Sequence, residues 1–254
     1  DSLILDESLS ANEIIYLVRQ QDTNKKVSFI NKILKSGRAE RALIDATNLK
    51  KGVLFEHNKN SKLDAIISSA AVRLTRWDEL ENLSYEYEVT YKNQGKNDFN
   101  LFLYDETFNN ADVDSLIDIS TGKLLFFLKS QRSDAFLDEL NLIRSLLSMK
   151  LSAVSMMTSY NRLISLLAQF RVFEEVEDFY NQKYIQKDTK KRFCFGDWIK
   201  QNELSVDDVE FATSVRCALI SIESTILKNK QDELKNDFSN QWLTINKKRN
   251  SNQR

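Results

Sequence analysis

Few residues of this 254-residue chain have types and spacing that could do chemistry. The densest group is Glu174-Glu175-Val176-Glu177-Asp178, a loose fit to the DDxxD-like pattern by which all-helical prenyl-processing enzymes hold magnesium. Such a site needs several converging carboxylates, and no second acidic motif accompanies this one. The run therefore reads as the solvated face of a helix. Asp207-Asp208 is expected at the start of a helix, where carboxylates complement the backbone dipole. The single His57 sits in the polar stretch Phe55-Glu56-His57-Asn58-Lys59-Asn60, with no His or Cys neighbour at metal-ligand spacing, and reads as a loop histidine. A His-dependent Ser or Cys nucleophile would have to use it, and nothing marks a partner. A di-iron bundle needs two Glu-x-x-His motifs and is excluded, and neither a GxGxxG nor a GxxxxGKS/T phosphate loop occurs. No catalytic, cofactor-binding or metal-binding residue is assigned.

Cations and aromatics interleave once, at Lys183, Lys187, Lys190, Lys191 and Arg192 followed by Phe193, Phe195 and Trp198. The mixture could bind phosphates and stack bases, or could be an interhelix loop whose aromatics re-enter the core. With 36 Lys+Arg against 37 Asp+Glu there is no global basic field, and direct nucleic-acid contact is not expected. Cys194 and Cys217 lie far apart without CxxC spacing, which fits a reducing compartment. Ser130-Gln131 is a dipeptide of the type phosphorylated by DNA-damage kinases, but one such pair is expected by chance.

The elements that would position these residues are helices. The chain has no proline and only 5 glycines, whereas average usage is roughly 5% and 7%, and sandwiches or barrels need those residues at their many turns. The longest apolar run, Leu124 to Leu128, falls far short of the roughly 20 residues of a membrane span. No secretory leader pattern opens the chain, which begins at Asp1 and reads as a piece of something longer. Leu63, Ile67, Ala70, Leu74 and Trp77 form one helical stripe; Met156, Tyr160, Leu163, Leu167 and Phe170 form another. Further stripes run over 136–147, 211–222 and 234–245, with weaker helices near 12–20, 27–35, 39–51, 114–130 and 171–183. The total expected is about ten helices.

The chain also repeats itself. Thr75 to Leu83 aligns without gaps on Arg171 to Phe179, and Gly37 to Ala42 and Gln131 to Phe136 join the register more loosely. The anchors 37, 75, 131 and 171 are 38, 56 and 40 residues apart, near the period of helix-pair repeats save for one long interval. Each unit reads as a helical hairpin, with Gly or a polar residue at the turn and a packing residue five positions later. The long interval holds an inserted loop over 91–114, rich in Asn and Asp. Its Phe99, Leu101, Phe102, Leu103, Tyr104 and Phe108 either pack onto the stack or meet a partner, packing being the preferred reading. The expected fold is all-α, an α-solenoid of antiparallel hairpins of TPR/HEAT type, forming one segment over 1–254.

Several of these segments resemble a known family. Ile67 to Asn82, with Leu74-Thr75-Arg76-Trp77-Asp78-Glu79-Leu80-Glu81-Asn82 at its end, is similar to the A-W-(R/K)-L-x-x-W-D-x-(L/V)-E segment in the FAT region of phosphatidylinositol 3-kinase-related kinases. Lys25 to Lys50 resembles the hairpin before that segment, and Leu124 to Leu146 the helix pair centred on F-x-x-x-L-x-x-(A/V)-R. Met156 to Tyr180 is similar to the long helix and acidic hairpin that follow. Phe211 to Leu227 resembles the P-I-x-A-L-R-x-A-L-L-S-L helix, and Trp242 to Asn250 the closing W-L-x-x-A-x-x-A-R-K. The order covers most of the chain and looks most like the ATR-type DNA-damage checkpoint kinases, with the ATM type second. The resemblance implies a scaffold without catalytic residues of its own. It would clamp a kinase domain lying beyond this segment, contribute to dimerisation and dock a dedicated regulatory subunit. The parent would be a nuclear serine/threonine kinase using ATP and magnesium. Two other readings stand beside it: a free-standing TPR-like adaptor binding a peptide in its concave groove, and a helical enzyme built on Glu174 and Asp178.

Overall fold

A computed structural model describes residues 11–53, 61–93, 113–155, 160–185 and 205–251. Among them there are eight α-helices and no strand: α1 (Ala11–Lys35), α2 (Ala39–Val53), α3 (Ser61–Leu74), α4 (Trp77–Asn93), α5 (Val113–Lys129), α6 (Ser133–Ser155), α7 (Tyr160–Tyr180) and α8 (Val206–Ser251). A single π-helical turn, Asn181–Ile185, continues α7. Carboxylates in the first turn recur at Glu40, Asp64, Asp78, Asp114, Asp134 and Asp207, and cations in the last turn at Lys35, Lys50, Arg73 and Lys129. Both placements favour the helix dipole.

Three reversals share one geometry. Gly37, Thr75 and Gln131 have φ of 80°, 52° and 59°, the left-handed conformation that ends a helix. At each, the left-handed residue's N–H reaches the carbonyl three residues back (Leu34, Val72, Leu128) and the next N–H reaches five back (Ile33, Ala71, Phe127). That next residue is arginine every time: Arg38, Arg76 and Arg132. Its carbonyl accepts the first bond of the following helix, from Ala42, Leu80 and Phe136 respectively. These three side chains are fully buried. The turns joining α1 to α2, α3 to α4 and α5 to α6 are thus built alike, at three of the four repeat anchors.

The fourth anchor differs. Arg171 lies inside α7, which runs unbroken from 160 to 180, although Val176, five positions on, is buried as in the other units. The expected helices near 12–20 and 27–35 merge into α1, residues 160–170 and 171–180 of the next two into α7, with 156–159 outside the described residues, and those over 211–222 and 234–245 into α8. Eight helices therefore stand where about ten were expected. In these three places the gap in apolar periodicity contains no residue that takes the left-handed conformation, so nothing stops the helix. Conversely, the stripe from Leu63 to Trp77 is divided at Thr75, and Trp77 begins α4. Of the expected insertion, Tyr91 to Asn93 belong to α4 and Val113 and Asp114 to α5; 94–112 lie outside the described residues.

Two cores share α3, α4 and α5. One joins α1 to α5 through Val27, Leu34, Leu43, Leu63, Ile67, Leu83 and Ile119. The other joins α3 to α8 around Val72, Leu80, Leu124, Phe136, Ile143, Phe173 and Ile222. Helices α3 and α5 cross closely at Gly122, where a Cβ would overlap Ser68 Oγ and stand 2.8 Å from Leu80 Cδ2. Ser68 Oγ donates to the Asp118 carbonyl at 2.7 Å, drawing the two backbones together. Phe136 stacks on Tyr180 at 4.4 Å, and the Tyr184 hydroxyl donates to the Leu128 carbonyl at 2.9 Å. The last helix, roughly 69 Å long at 1.5 Å per residue, packs on α7 and returns to α3 and α5.

Candidate functional site

The acidic run tests the enzymatic reading directly, because magnesium chemistry would require its carboxylates to converge. They do not. Glu174 pairs with Arg171 on its own helix, Glu177 with Arg144 of α6, and Glu175 takes a bidentate fork from Arg216 of α8 at 2.9 and 2.6 Å. Burial raises the Asp178 carboxyl above its ordinary range, with repulsion from Glu177, Glu174 and Glu175 adding to it. Spaced by 100° per residue, these acids fan out to tie α7 to the helices on either side. The expected solvated face is an exposed edge at Glu174 and a pair of interhelix ties at Glu175 and Glu177. Among the described residues no group of His, Cys, Asp and Glu could hold a metal ion.

The other residues singled out fall as follows. His57, Cys194 and the stretch from Lys187 to Trp198 lie outside the described residues. Lys183, in the π turn, pairs with Glu223 of α8 and lies 5.9 Å from the Phe179 ring centroid. Asp207 and Asp208 do open a helix. Ser205 Oγ accepts from the Asp208 N–H at 3.2 Å and donates to Asp208 Oδ2 at 2.6 Å, while Ser165 of α7 donates to Asp208 Oδ1 at 2.6 Å. Ser205 thus caps the helix, and Asp208 docks it on α7. Ser130 Oγ donates to the Phe126 carbonyl at 2.9 Å, beside the turn at Gln131. Cys217 is an exposed thiol.

Sequence reasoning missed a polar chain that runs from exposed Glu86 inward to buried Asp64 and Tyr87. Lys50 of α2 pairs with Asp64 of α3 at 2.8 Å and with Glu86 of α4, and the Tyr87 hydroxyl donates to Asp64 at 3.2 Å. Burial lowers the Lys50 pKa, but attraction to Asp64 and hydrogen bonds to Asp64 and Glu86 outweigh it, so the net shift is upward. Beside it, Lys123 of α5 pairs with Glu139 of α6 at 2.7 Å and lies 5.7 Å from the Tyr87 ring centroid. Lys123 and Glu139 are 6% and 5% exposed, so the pair is withdrawn from water. One signal was available: Asp64 and Lys123 interrupt the apolar stretches Leu63–Ala71 and Leu116–Leu128, where a charge must find a partner.

Compared with protein-family models, curated proteins and solved structures, the chain matches none. Function must therefore be argued from the arrangement itself. Its charged groups occur as opposite-sign pairs between neighbouring helices: α2 with α3 and α4, α5 with α6, α6 with α7, and α7 with α8. Chemically, such pairs fix the register of one helix on the next. No described helix is long and apolar enough to cross a membrane.

Proposed function

We propose that the chain is a helical scaffold segment, an α-solenoid of hairpins of the FAT type. In this reading it belongs to a large nuclear serine/threonine kinase of the ATR type that acts in DNA-damage and replication-stress checkpoint signalling. It would support the kinase domain, a second protomer and a dedicated regulatory subunit, while ATP and magnesium would belong to the kinase domain of the parent. The observation that carries the scaffold part of this reading is the threefold reversal at Gly37-Arg38, Thr75-Arg76 and Gln131-Arg132, in register with the sequence repeat. Contacts between α1 and α3 and between α3 and α5, the first helices of successive hairpins, are what a solenoid requires. The kinase assignment rests on the ordered resemblance from Lys25 to Asn250. A free-standing adaptor with an open peptide groove is less well supported, because α8 lies on α3 and α5. The test is the encoding transcript. Beyond Arg254 it should continue into a kinase domain with HRD-like and DFG-like motifs. A stop codon there, or a continuation without those motifs, overturns the kinase assignment.

A further inference from the structure

From Thr23 to Ala39 the chain carries five cations (Lys25, Lys26, Lys32, Lys35 and Arg38) and no acid, although its charges as a whole sum to -1. Four of the five lie on the second half of α1, which packs on α2 and α3. Lys25, Phe29 and Lys32 follow one another at steps of four and three residues, so at 100° per residue they fall on one line about 10 Å long. All three are exposed, and Phe29 keeps 62% of its surface. A single apolar side chain in water calls for no explanation. Here the lysines on either side of it also lack counter-charges: among the described residues no carboxylate pairs with Lys25, Lys32 or Arg38. Lys35 reaches Asp207 at 3.5 Å, an exposed pair of little strength. The fold itself shows how such a step is closed. Lys183 follows Phe179 by four residues, lies 5.9 Å from its ring centroid and is paired with Glu223 of the neighbouring α8. Helix α1 carries a lysine one turn to either side of Phe29 and leaves both open to water.

We propose that this face of α1 docks an acidic helix of a partner protein, with an apolar residue of that helix on Phe29 and carboxylates one turn to either side on Lys25 and Lys32. The partner supplies to α1 what α8 supplies to Phe179 and Lys183. Charge brings the two surfaces together, and the ring, once dry, carries most of the affinity. The inference rests on the scaffold part of the reading above and is independent of the kinase assignment. A nucleic acid fits less well. The cations line one helix rather than a groove that tracks a backbone, one ring offers a single stacking platform, and the net charge supplies no long-range field.

The probe is a synthetic helical peptide with Glu one turn before and one turn after a central Leu, titrated against the whole chain by fluorescence anisotropy. Binding should saturate and weaken as salt is added. It should fall about tenfold or more in Phe29→Ser and in the double variant Lys25→Glu with Lys32→Glu. The same peptide with Lys in place of Glu should not bind. Absence of saturable binding, binding indifferent to these substitutions, or tighter binding of a single-stranded oligonucleotide overturns the proposal. Should a variant not fold, the wild type decides alone: amide NMR shifts on adding the Glu peptide should concentrate over 25–36, and shifts centred elsewhere overturn it. None of these outcomes bears on the sequence beyond Arg254, so this inference and the kinase assignment fail separately.

Discussion

At the scale of single residues, tolerance is set by what each side chain touches rather than by its type. Gly122 sits where α3 and α5 come closest, and an added methyl has no room beside Ser68 Oγ and Leu80 Cδ2. Gly122→Ala should therefore destabilise the fold by about 1–3 kcal/mol, read as a lower urea midpoint, despite alanine's better helix propensity. Ser68→Ala in the same chain should recover part of the loss, since it removes the atom that the methyl overlaps. Lys123 and Glu139 make the opposite case. Lys123→Met leaves a buried carboxylate without its cation and should cost about 3–5 kcal/mol, whereas Lys123→Met with Glu139→Leu should lie far closer to wild type. A double-mutant cycle with additive effects would show that the two charges do not depend on each other. Neither pairing could be derived from sequence, because Lys123 carries no mark of which of many acids it will meet. Only its need for one was legible.

Individual helices show which sequence signals carry weight. The reversals at 37, 75 and 131 were legible because each pairs a left-handed residue with a buried one five positions on, and the chain writes that pattern three times. Arg171 shares the buried residue without the turn. Its neighbours Gln169 to Phe173 all suit a helix, and Arg171 pairs with Glu174 one turn on instead of breaking the chain. The polar interval between Gln20 and Lys26 was misread for the same reason, since polar residues weaken the apolar stripe without stopping a helix. Substitution with glycine separates the two situations by sign. Thr75→Gly relieves a β-branched residue at φ 52° and should raise stability by up to about 1 kcal/mol. Arg171→Gly, inside α7, should lower it by about 1 kcal/mol. Thermal unfolding of both variants, with Gly37→Ala as a third that should also be destabilised, checks the assignment of turns and helix interiors.

For the molecule as a whole, stability should depend on pH with a sign that Asp118 sets. Burial first, and the Asp114 charge second, keep a proton on its folded carboxyl up to about pH 7, well above the ordinary 3.8, so the folded state holds that proton where the unfolded chain has lost it. Its contribution is fully present below about pH 4 and is lost as pH rises through about 7. Denaturant unfolding of the wild type, compared with Asp118→Asn at each pH, should show the variant gaining ground steadily as pH rises across this interval. A constant difference between the two proteins would assign the pH dependence to other groups. The bond from Arg73 of α3 to Glu210 of α8 spans 137 residues, whereas α1 and α2, α3 and α4, and α5 and α6 meet across short turns. On a ribosome adding about 5–20 residues per second, the seat on α3 and α5 stands open for roughly ten seconds before the helix that covers it has been made. Through that interval the parts of α3 and α5 that the last helix covers have no cover, and the order of synthesis leaves it to the end.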